Sequence, residues 1–413
     1  MIFSKKYDNG LRIIVNEMPS MLSVSMGVLV GVGSSLEDDE NNGISHFIEH
    51  VNFKGTNRFS PFELSDEFDS IGSQVNAFTS KDITCYYVKS TVNSAERSFE
   101  LLSDLFLNST YEESELKKEK DVIIEEINMS EDTPDEVCLD KLALAQFGQS
   151  GFGRTILGSK QNVRIFHKPD IEKYKKRFYN ADNIVVSFAG KITAAKAEKL
   201  VEKYFAPFVS SEKSDDVICK FTENLNGTII SHKDIEQTHF ALGFNGLSYD
   251  DKDSDILSLV NIILGMGMSS RLFQRVREEL GLCYTVYSYP SGYRNTGTLT
   301  VYAGVSNETL NPAYEAVLEV LNGAKSGFTE KEFERGKAQV ISSFAYGEES
   351  TSSQMILYGK YLLFTDKIFD TKKKIENINK IKKSEIDDFI NTFDFDNFSL
   401  AVVGNKAKKP KLR

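Results

Sequence analysis

Residues 182–190 read DNIVVSFAG, a short apolar run that predicts a buried β-strand. A similar run, DNFSLAVVG, occupies residues 396–404, which lie 214 positions later. Gly243 in THFALGF likewise follows Gly27 in SVSMGVL by 216 positions. Two pairs in the same order and at nearly the same offset favour an internal duplication over two unrelated pairs of strands. We therefore predict two homologous α+β domains of about 200 residues each.

A polar stretch separates the two predicted domains. It contains VSSEKSDD at residues 209–216, a composition typical of a linker. We expect the first domain to cover residues 1–208, the linker 209–226 and the second domain 227–413. Hydrophobic spacing predicts helices at residues 44–53, 61–71, 94–107, 112–129, 136–147, 194–204 and 253–264. Apolar runs predict further strands at residues 11–15, 24–32, 227–231 and 238–244.

Composition and charge narrow the classes of function. The chain has 413 residues, of which 40% are hydrophobic, and a net charge of −11. This acidity disfavours binding to a phosphate backbone, despite the short basic tail at residues 406–413. No apolar run approaches the roughly 20 residues that span a bilayer, and the N-terminus lacks the apolar core of a signal peptide. These features predict a cytoplasmic protein that binds no nucleic acid, unless a leader was removed.

Cysteine spacing excludes two kinds of site. Cys85, Cys138, Cys219 and Cys283 stand far apart, with no CxxC pair. Neither a cysteine-rich zinc site nor a dense disulfide framework fits this spacing. We expect buried free thiols.

The sequence GISHFIEH at residues 43–50 contains the pattern H-x-x-E-H. Positions i and i+4 of a helix lie about 40° apart around the axis and roughly 6 Å apart along it. The imidazoles of His46 and His50 can therefore converge on one tetrahedral zinc ion. Glu49 shares that side of the helix and can reach a water whose pKa the metal lowers to about 7.

The alternative is a surface helix with two incidental histidines, which would have to explain the interleaved apolar Phe47 and Ile48. A catalytic zinc needs a third protein ligand, and spacing alone does not select it. The corresponding segment of the second half, near residues 260–265, has no histidine. The predicted duplicate is therefore chemically asymmetric.

The longer segment GISHFIEHVNFKGT, residues 43–56, resembles the active-site helix of the M16 zinc metallopeptidases, the pitrilysin or insulinase clan of inverzincins. The chain length and the single motif resemble the subfamily of mitochondrial-processing-peptidase-like enzymes. The resemblance implies the M16, or LuxS-like, fold. In that fold each of two homologous domains is a mostly antiparallel sheet covered by helices on one side.

In that family the third ligand is a Glu 76 positions after the second histidine, which here is Glu126. It ends EKDVIIEE at residues 119–126, which matches the family pattern E-x-x-V-I-x-x-E. Glu119, two helical turns earlier, would orient a ligand histidine. Without the family resemblance, a solvated helix face would be the favoured explanation for a Glu in so acidic a stretch. We expect that solvated role for the adjacent Glu125.

Two further matches concern substrate contacts. Arg277 and Tyr284, seven positions apart, resemble the family's pair near the scissile bond, and both side chains can donate to a carbonyl. A surface Arg and a strand Tyr explain them equally well locally. Asn76 and Ala77 resemble the edge strand that receives an extended substrate. Asp82 stands where the family more often has Glu, at a position that is not a ligand.

The resemblance as a whole implies a zinc-dependent endopeptidase. His46, His50 and Glu126 would hold one zinc ion per chain, and Glu49 would activate water for attack on a peptide or an unfolded or targeting segment. Because one chain of this length supplies half of an M16 chamber, a homodimer is implied, and a heterodimer with a sister chain stays open. The rival interpretation is a catalytically silent, structural subunit. A zinc-storage module would leave Glu49 unexplained.

Overall fold

The computed structural model describes residues 1–205, 208 and 224–411. They form two compact units, neither of which is contiguous in sequence. The first unit contains the described parts of residues 1–127, 155–219 and 346–369. The second contains the described parts of residues 128–154, 220–345 and 370–413.

Both halves of the chain contain strands and helices. The strands are β1 (Ile2–Lys6), β2 (Arg12–Glu17), β3 (Ser23–Val30), β4 (Gln74–Thr79), β5 (Thr84–Thr91), β6 (Ile184–Gly190), β7 (Thr228–His232), β8 (Thr238–Asn245), β9 (Cys283–Gly292), β10 (Gly297–Val305) and β11 (Ser399–Gly404). The helices are α1 (Ile44–Val51), α2 (Pro61–Ser70), α3 (Ala95–Asn108), α4 (Glu113–Asp132), α5 (Pro134–Phe147), α6 (Lys160–Ile165), α7 (Lys168–Phe178), α8 (Ala194–Tyr204), α9 (Ser254–Gly265), α10 (Leu310–Gly323), α11 (Glu330–Glu348), α12 (Thr351–Thr365), α13 (Thr371–Lys380) and α14 (Lys383–Thr392). Short 3-10 turns occur at Ser34–Leu36, Ala181–Asn183 and Ala324–Ser326, and a π-helical segment at Phe273–Glu279.

The sheet of the first unit has the strand order β1-β2-β6-β3-β5-β4. Only the β2–β6 pair is parallel. Most of its helices cover one side of the sheet, where fully buried aromatic side chains such as Phe99 and Phe188 pack with their ring centroids 5.0 Å apart. Burial of rings of this size supplies much of the hydrophobic stabilisation of the unit.

The other side of this sheet is covered by α12. A Cβ on Gly27 would lie 2.4 Å from Met355 Sδ, and one on Gly359 would lie 2.7 Å from Leu29 Cδ1, so the two glycines permit this close packing. Ser187 Oγ donates to the carbonyl of Met355 at 2.7 Å. The expectation that helices cover only one side of each sheet is therefore wrong, because a single helix also buries the second side.

The sheet of the second unit has the strand order β7-β11-β8-β10-β9, and only the β7–β11 pair is parallel. Its main core contains Phe244 and Phe395, whose ring centroids lie 5.3 Å apart. Its opposite side is covered by α5, which buries Cys138 and Leu142 against the sheet. Each sheet thus carries on its second side a helix that the other half of the sequence supplies.

Both sheets share one topology, because β2-β6-β3-β5-β4 and β7-β11-β8-β10-β9 have the same order and the same parallel pair. The predicted α+β class and mostly antiparallel sheets are confirmed. The boundaries predicted at residues 208 and 227 stay a prediction of where the duplicated halves join. Residues 209–223 of the predicted linker lie outside the described residues.

Two smaller expectations concern the thiols and the membrane. Cys85 and Cys138 are buried free thiols, as predicted, whereas Cys283 is half-exposed because it begins the edge strand β9. Cys219 lies outside the described residues. Among the helices that the structure describes, none combines the length and apolar character needed to cross a bilayer.

Candidate metal centre

The helix that carries the two histidines, α1, is fixed at its first turn by a buried carboxylate. Gly43 precedes it with φ of 101°, a left-handed conformation that favours glycine. No side chain of the helix caps this end. Instead Glu37 accepts hydrogen bonds from the backbone amides of Gly43 at 2.7 Å and Ser45 at 2.8 Å. An anion at this position also interacts favourably with the helix dipole.

The two sides of α1 have different tasks. Ile44, Phe47, Ile48 and Val51 are buried in the core of the first unit. On the opposite side, Glu49 and His50 are half-buried, and His46 is 7% exposed. The apolar residues that interrupt the H-x-x-E-H pattern therefore anchor the helix, while the polar residues lie at its accessible side.

His46, His50 and Glu126 form the candidate metal centre. One ligand atom from each lies within 4.8 Å of the other two. The Nε2 atoms of His46 and His50 lie 3.6 Å and 3.3 Å from the carboxylate oxygens of Glu126. Two imidazoles and one carboxylate form the donor set of catalytic zinc sites of the His₂Glu type. The residues present fit that metal.

A second carboxylate, that of Glu119, contacts the Nδ1 side of the His50 ring. Glu119 is 4% exposed and lies 2.9 Å from the Nδ1 of His50, and its other oxygen lies 2.6 Å from the Nζ of Lys54. A proton on Nδ1 would leave the lone pair of Nε2 free to bind a metal ion held by His46 and Glu126. In contrast, the Nδ1 of His46 is buried without a hydrogen-bond partner among the residues that the structure describes.

The charges of the centre suit a cation. Burial and the neighbouring His50 lower the pKa of His46 to about 4, so this imidazole is neutral. Burial alone would lower the pKa of His50, but its hydrogen bonds with Glu119 and Glu126 outweigh that effect and raise it to about 9. The hydrogen bond from His50 holds the pKa of Glu126 below its usual value. Without a metal, a proton on His50 balances the carboxylates, and a metal ion would replace it.

Glu49 lies beside the centre on α1. Burial raises the pKa of this carboxyl group, and a hydrogen bond opposes the rise: Thr79 Oγ1 donates to Glu49 Oε2 at 2.5 Å. A carboxylate with a raised pKa is a stronger base than one in water and suits proton transfer near neutral pH.

The remaining predicted residues lie elsewhere. Glu125 is exposed and does not belong to the centre. Asn76 and Ala77 lie on β4, which is the edge strand of the first sheet. In the second unit, Arg277 lies on the π-helical segment with its guanidinium carbon 5.1 Å from the ring centroid of Tyr284, which is 74% exposed.

Three residues of this region were not predicted from the sequence. Lys54 continues the four-residue spacing of His46 and His50, so its position on that side could have been noticed. Glu37 and Thr79 carry no such signal, because both reach α1 only through the folding of the chain.

Two protein-family models match this chain, over successive parts of the sequence. Residues 12–160 match the family model described as insulinase, peptidase family M16. Residues 166–340 match the model described as the peptidase M16 inactive domain.

The similar proteins cover nearly the whole chain. The "uncharacterized zinc protease YmxG" of Bacillus subtilis is 38% identical over 98% of this chain and 99% of its own length. An "uncharacterized zinc protease" of Rickettsia felis is 34% identical over 94% of this chain and 93% of its own length. The crystal structure of a protease from Helicobacter pylori has the same fold, with a TM-score of 0.91 at 22% identity, covering 98% of this chain and 99% of that one. A peptidase M16 inactive domain from Pseudomonas fluorescens has a TM-score of 0.90 at 18% identity, with 99% of both chains covered.

Proposed function

Because the chain belongs to the M16, or insulinase, peptidase family, we propose that it is a zinc-dependent endopeptidase. The observation that carries the proposal is the convergence of His46, His50 and Glu126 within 4.8 Å beside Glu49. The term "zinc protease" in the names of the Bacillus subtilis and Rickettsia felis relatives supports the same activity and metal.

His46 Nε2, His50 Nε2 and a carboxylate oxygen of Glu126 would hold one zinc ion, and Glu119 would fix the ring of His50 through Nδ1. The zinc ion supplies Lewis acidity, which polarises a carbonyl and lowers the pKa of water. The role of the protein is to hold these three ligands and to leave a coordination position open to the substrate.

Glu49 performs the proton transfers. Its carboxylate takes a proton from the water that attacks the scissile carbonyl, and it later delivers that proton to the leaving amine nitrogen. The half-buried position beside His50 keeps its base strength above that of an exposed carboxylate.

The substrate is a peptide or an unfolded or targeting segment in an extended conformation. The outer edge of β4 at Asn76 and Ala77 would pair with such a strand through main-chain hydrogen bonds. Arg277 and Tyr284 would donate hydrogen bonds to the substrate carbonyl near the scissile bond. From the chain length and the single motif, we propose that the enzyme is processing-peptidase-like.

The active unit is proposed to be a homodimer in which each chain supplies half of the chamber, and the second unit of one chain completes the site of its partner. A heterodimer with a sister chain is the alternative assembly.

One finding favours a second candidate, a catalytically silent subunit. Residues 166–340 match a model described as an inactive domain. That match, however, falls mostly on the half of the sequence that lacks the histidine pair, and the half with the pair retains His46, His50, Glu126 and Glu49. The peptidase is therefore the better-supported candidate.

Metal analysis and a digestion assay on the purified full chain test the proposal. We expect one zinc ion per chain, hydrolysis of unstructured peptides, loss of hydrolysis with a chelator and recovery when zinc is returned. A chain that holds zinc but cleaves no peptide, alone or in its dimer, would support the silent subunit instead.

Subunit mixing tests the proposed homodimer. Glu49→Gln protein lacks the base, and Arg277→Ala/Tyr284→Phe protein lacks the carbonyl contacts, so neither should cleave well. After complete exchange at equal amounts about half of the dimers are mixed, and each has one intact site out of two, so activity should recover to about one quarter of wild type. No recovery, with exchange verified independently, would mean that Arg277 and Tyr284 do not serve the partner's zinc.

A further inference from the structure

A single hydroxyl group connects the proposed base with the edge strand. Thr79 is the last residue of β4, and its Oγ1 donates to Oε2 of Glu49 at 2.5 Å. A threonine hydroxyl has one proton to donate, and this one is given to the carboxylate. Hydrogen bonds to a charged group are stronger than those between neutral groups, and they also restrict the orientation of the two side chains.

The backbone around Thr79 is held by its neighbours. Thr79 pairs with Thr84 on β5, and Ser80 N donates to the carbonyl of Ile83 at 2.8 Å to close the turn between the strands. The backbone after Gly33 lies directly against this turn. Ser34 N donates to the carbonyl of Ser80 at 3.1 Å, so the turn is bound on both sides.

Gly33 is required for this contact. A Cβ at Gly33 would lie 2.1 Å from the carbonyl oxygen of Ser80, a distance that no side chain tolerates. The segment of residues 33–37 then ends at Glu37, whose carboxylate accepts from Gly43 N and Ser45 N at the start of α1. One short segment thus fixes both the turn after Thr79 and the helix that carries Glu49.

We propose that Thr79 is the positioning residue of the general base. Its hydroxyl holds Oε2 of Glu49 and so directs Oε1 toward the water whose proton is transferred. This inference rests on the proposed peptidase function and adds to it that the base is aligned by the strand that receives the substrate. The register of the bound peptide and the direction of the base are then set by one element, β4.

The test compares Thr79→Val, which keeps the shape but removes the hydroxyl, with Thr79→Ser, which keeps the hydroxyl. We expect Thr79→Val to lower kcat by about 10- to 100-fold, with KM and zinc content unchanged. Thr79→Ser should restore most of kcat. Thr91→Val, on the exposed end of β5, is the matched control and should match wild type.

A second measurement reports on Glu49 without turnover. In protein labelled with ¹³C at the glutamate carboxyl carbon, the Glu49 signal is identified by its absence in Glu49→Gln. We expect this signal to move in Thr79→Val and to stay in place in Thr79→Ser and Thr91→Val, with or without zinc.

The outcomes separate this inference from the proposed function. Full kcat in Thr79→Val, or a loss that Thr79→Ser does not restore, would overturn the positioning role while the peptidase stands. If Thr79→Val loses zinc and thermal stability and its KM rises in parallel, the contact is merely structural, and this result would also overturn the positioning role. If wild-type protein with bound zinc cleaves no peptide, the proposed function fails, and an unmoved Glu49 signal would then overturn the contact itself.

Discussion

Helices α1 and α9 hold corresponding places in two sheets of the same topology, since α1 follows β3 and α9 follows β8. Both bury an apolar side, with Phe47 and Ile48 in α1 and Val260 and Ile263 in α9. Only α1 adds histidines and a glutamate on its accessible side. In α9 a buried polar residue, Asn261, accepts a hydrogen bond from Ser288 Oγ at 2.6 Å.

This difference shows which part of the duplicated unit is structural. The fold requires only that this helix have an apolar side that packs on the sheet, and both copies have one. The proposed metal ligands of α1 lie on the other side, where polar groups can be replaced without disturbing the core. One copy can therefore lack the ligands and keep its fold.

The charged pairs of the two units differ in the same way. In the first unit Glu119 and Glu126 lie against histidines that could hold a metal. In the second unit Glu332 forms two hydrogen bonds with Arg271, at 2.7 Å and 2.9 Å, and caps the start of α11 through Thr329 N. That pair connects the segment just before the π-helical region to the start of α11.

The largest effect is expected from removing Glu49, the proposed base, which distinguishes α1 from α9. Glu49→Gln should keep zinc, because no ligand changes, and should lower kcat by about 10²- to 10⁴-fold, because the amide cannot accept the proton. Peptide hydrolysis and metal content of the same preparation check this. Wild-type activity in Glu49→Gln would remove this residue from the mechanism.

The next effect concerns the third ligand and separates two adjacent glutamates of α4. Glu126→Gln should weaken zinc binding by more than about 100-fold, because a ligand is lost. Glu125→Gln is the matched control and should bind zinc like wild type, since Glu125 is exposed. Competition with a chelator measures both affinities, and reversed effects would mean that the ligand had been assigned one position too far along the helix.

A smaller effect is expected from Lys54, which contacts Glu119. Lys54→Met should weaken zinc binding by about 10-fold, because Glu119 loses the cation that holds its second oxygen. Lys54→Arg should restore most of the affinity. Lys118→Met removes an exposed lysine whose contact is Glu115 on the same helix, and it should leave zinc affinity unchanged. An unaltered affinity in Lys54→Met would show that Glu119 orients His50 without help.

The smallest effect tests the Arg271–Glu332 pair of the second unit. The hydrogen bonds from Arg271 lower the pKa of Glu332 to about 2. A lowered carboxyl pKa stabilises the fold above the unfolded value of 4.5, and this contribution is lost as the pH falls from there to about 2. Glu332→Gln should therefore lower the unfolding free energy at pH 7 by about 1 kcal/mol, since water still screens the pair.

Denaturant unfolding at pH 7 and near pH 2.5 checks this expectation. The difference between wild type and Glu332→Gln should shrink at the lower pH, and zinc affinity should be the same in both proteins. An equal difference at both pH values would show that ionisation of Glu332 does not stabilise the unit.

The sequence by itself determined the features that depend on local spacing. The repeated runs at residues 182–190 and 396–404 became β6 and β11 at equivalent places in the two sheets. The spacing of His46 and His50 put both on one side of α1, because helical geometry depends only on nearby residues. Glu126 required, in addition, the family pattern, since an acidic helix offers several equivalent candidates.

The tertiary structure alone decided the contacts between distant segments. No local period indicates that α12 covers the first sheet and α5 the second, or that Lys54, Glu37 and Thr79 converge on α1 and its candidate metal ligands. Such contacts depend on strand register and on how side chains interlock across layers, and both are set only when the whole chain packs. The local sequence of α1 thus supplies most of the side chains of the candidate centre. The alignment of these side chains depends on residues that come close to α1 only when the chain folds.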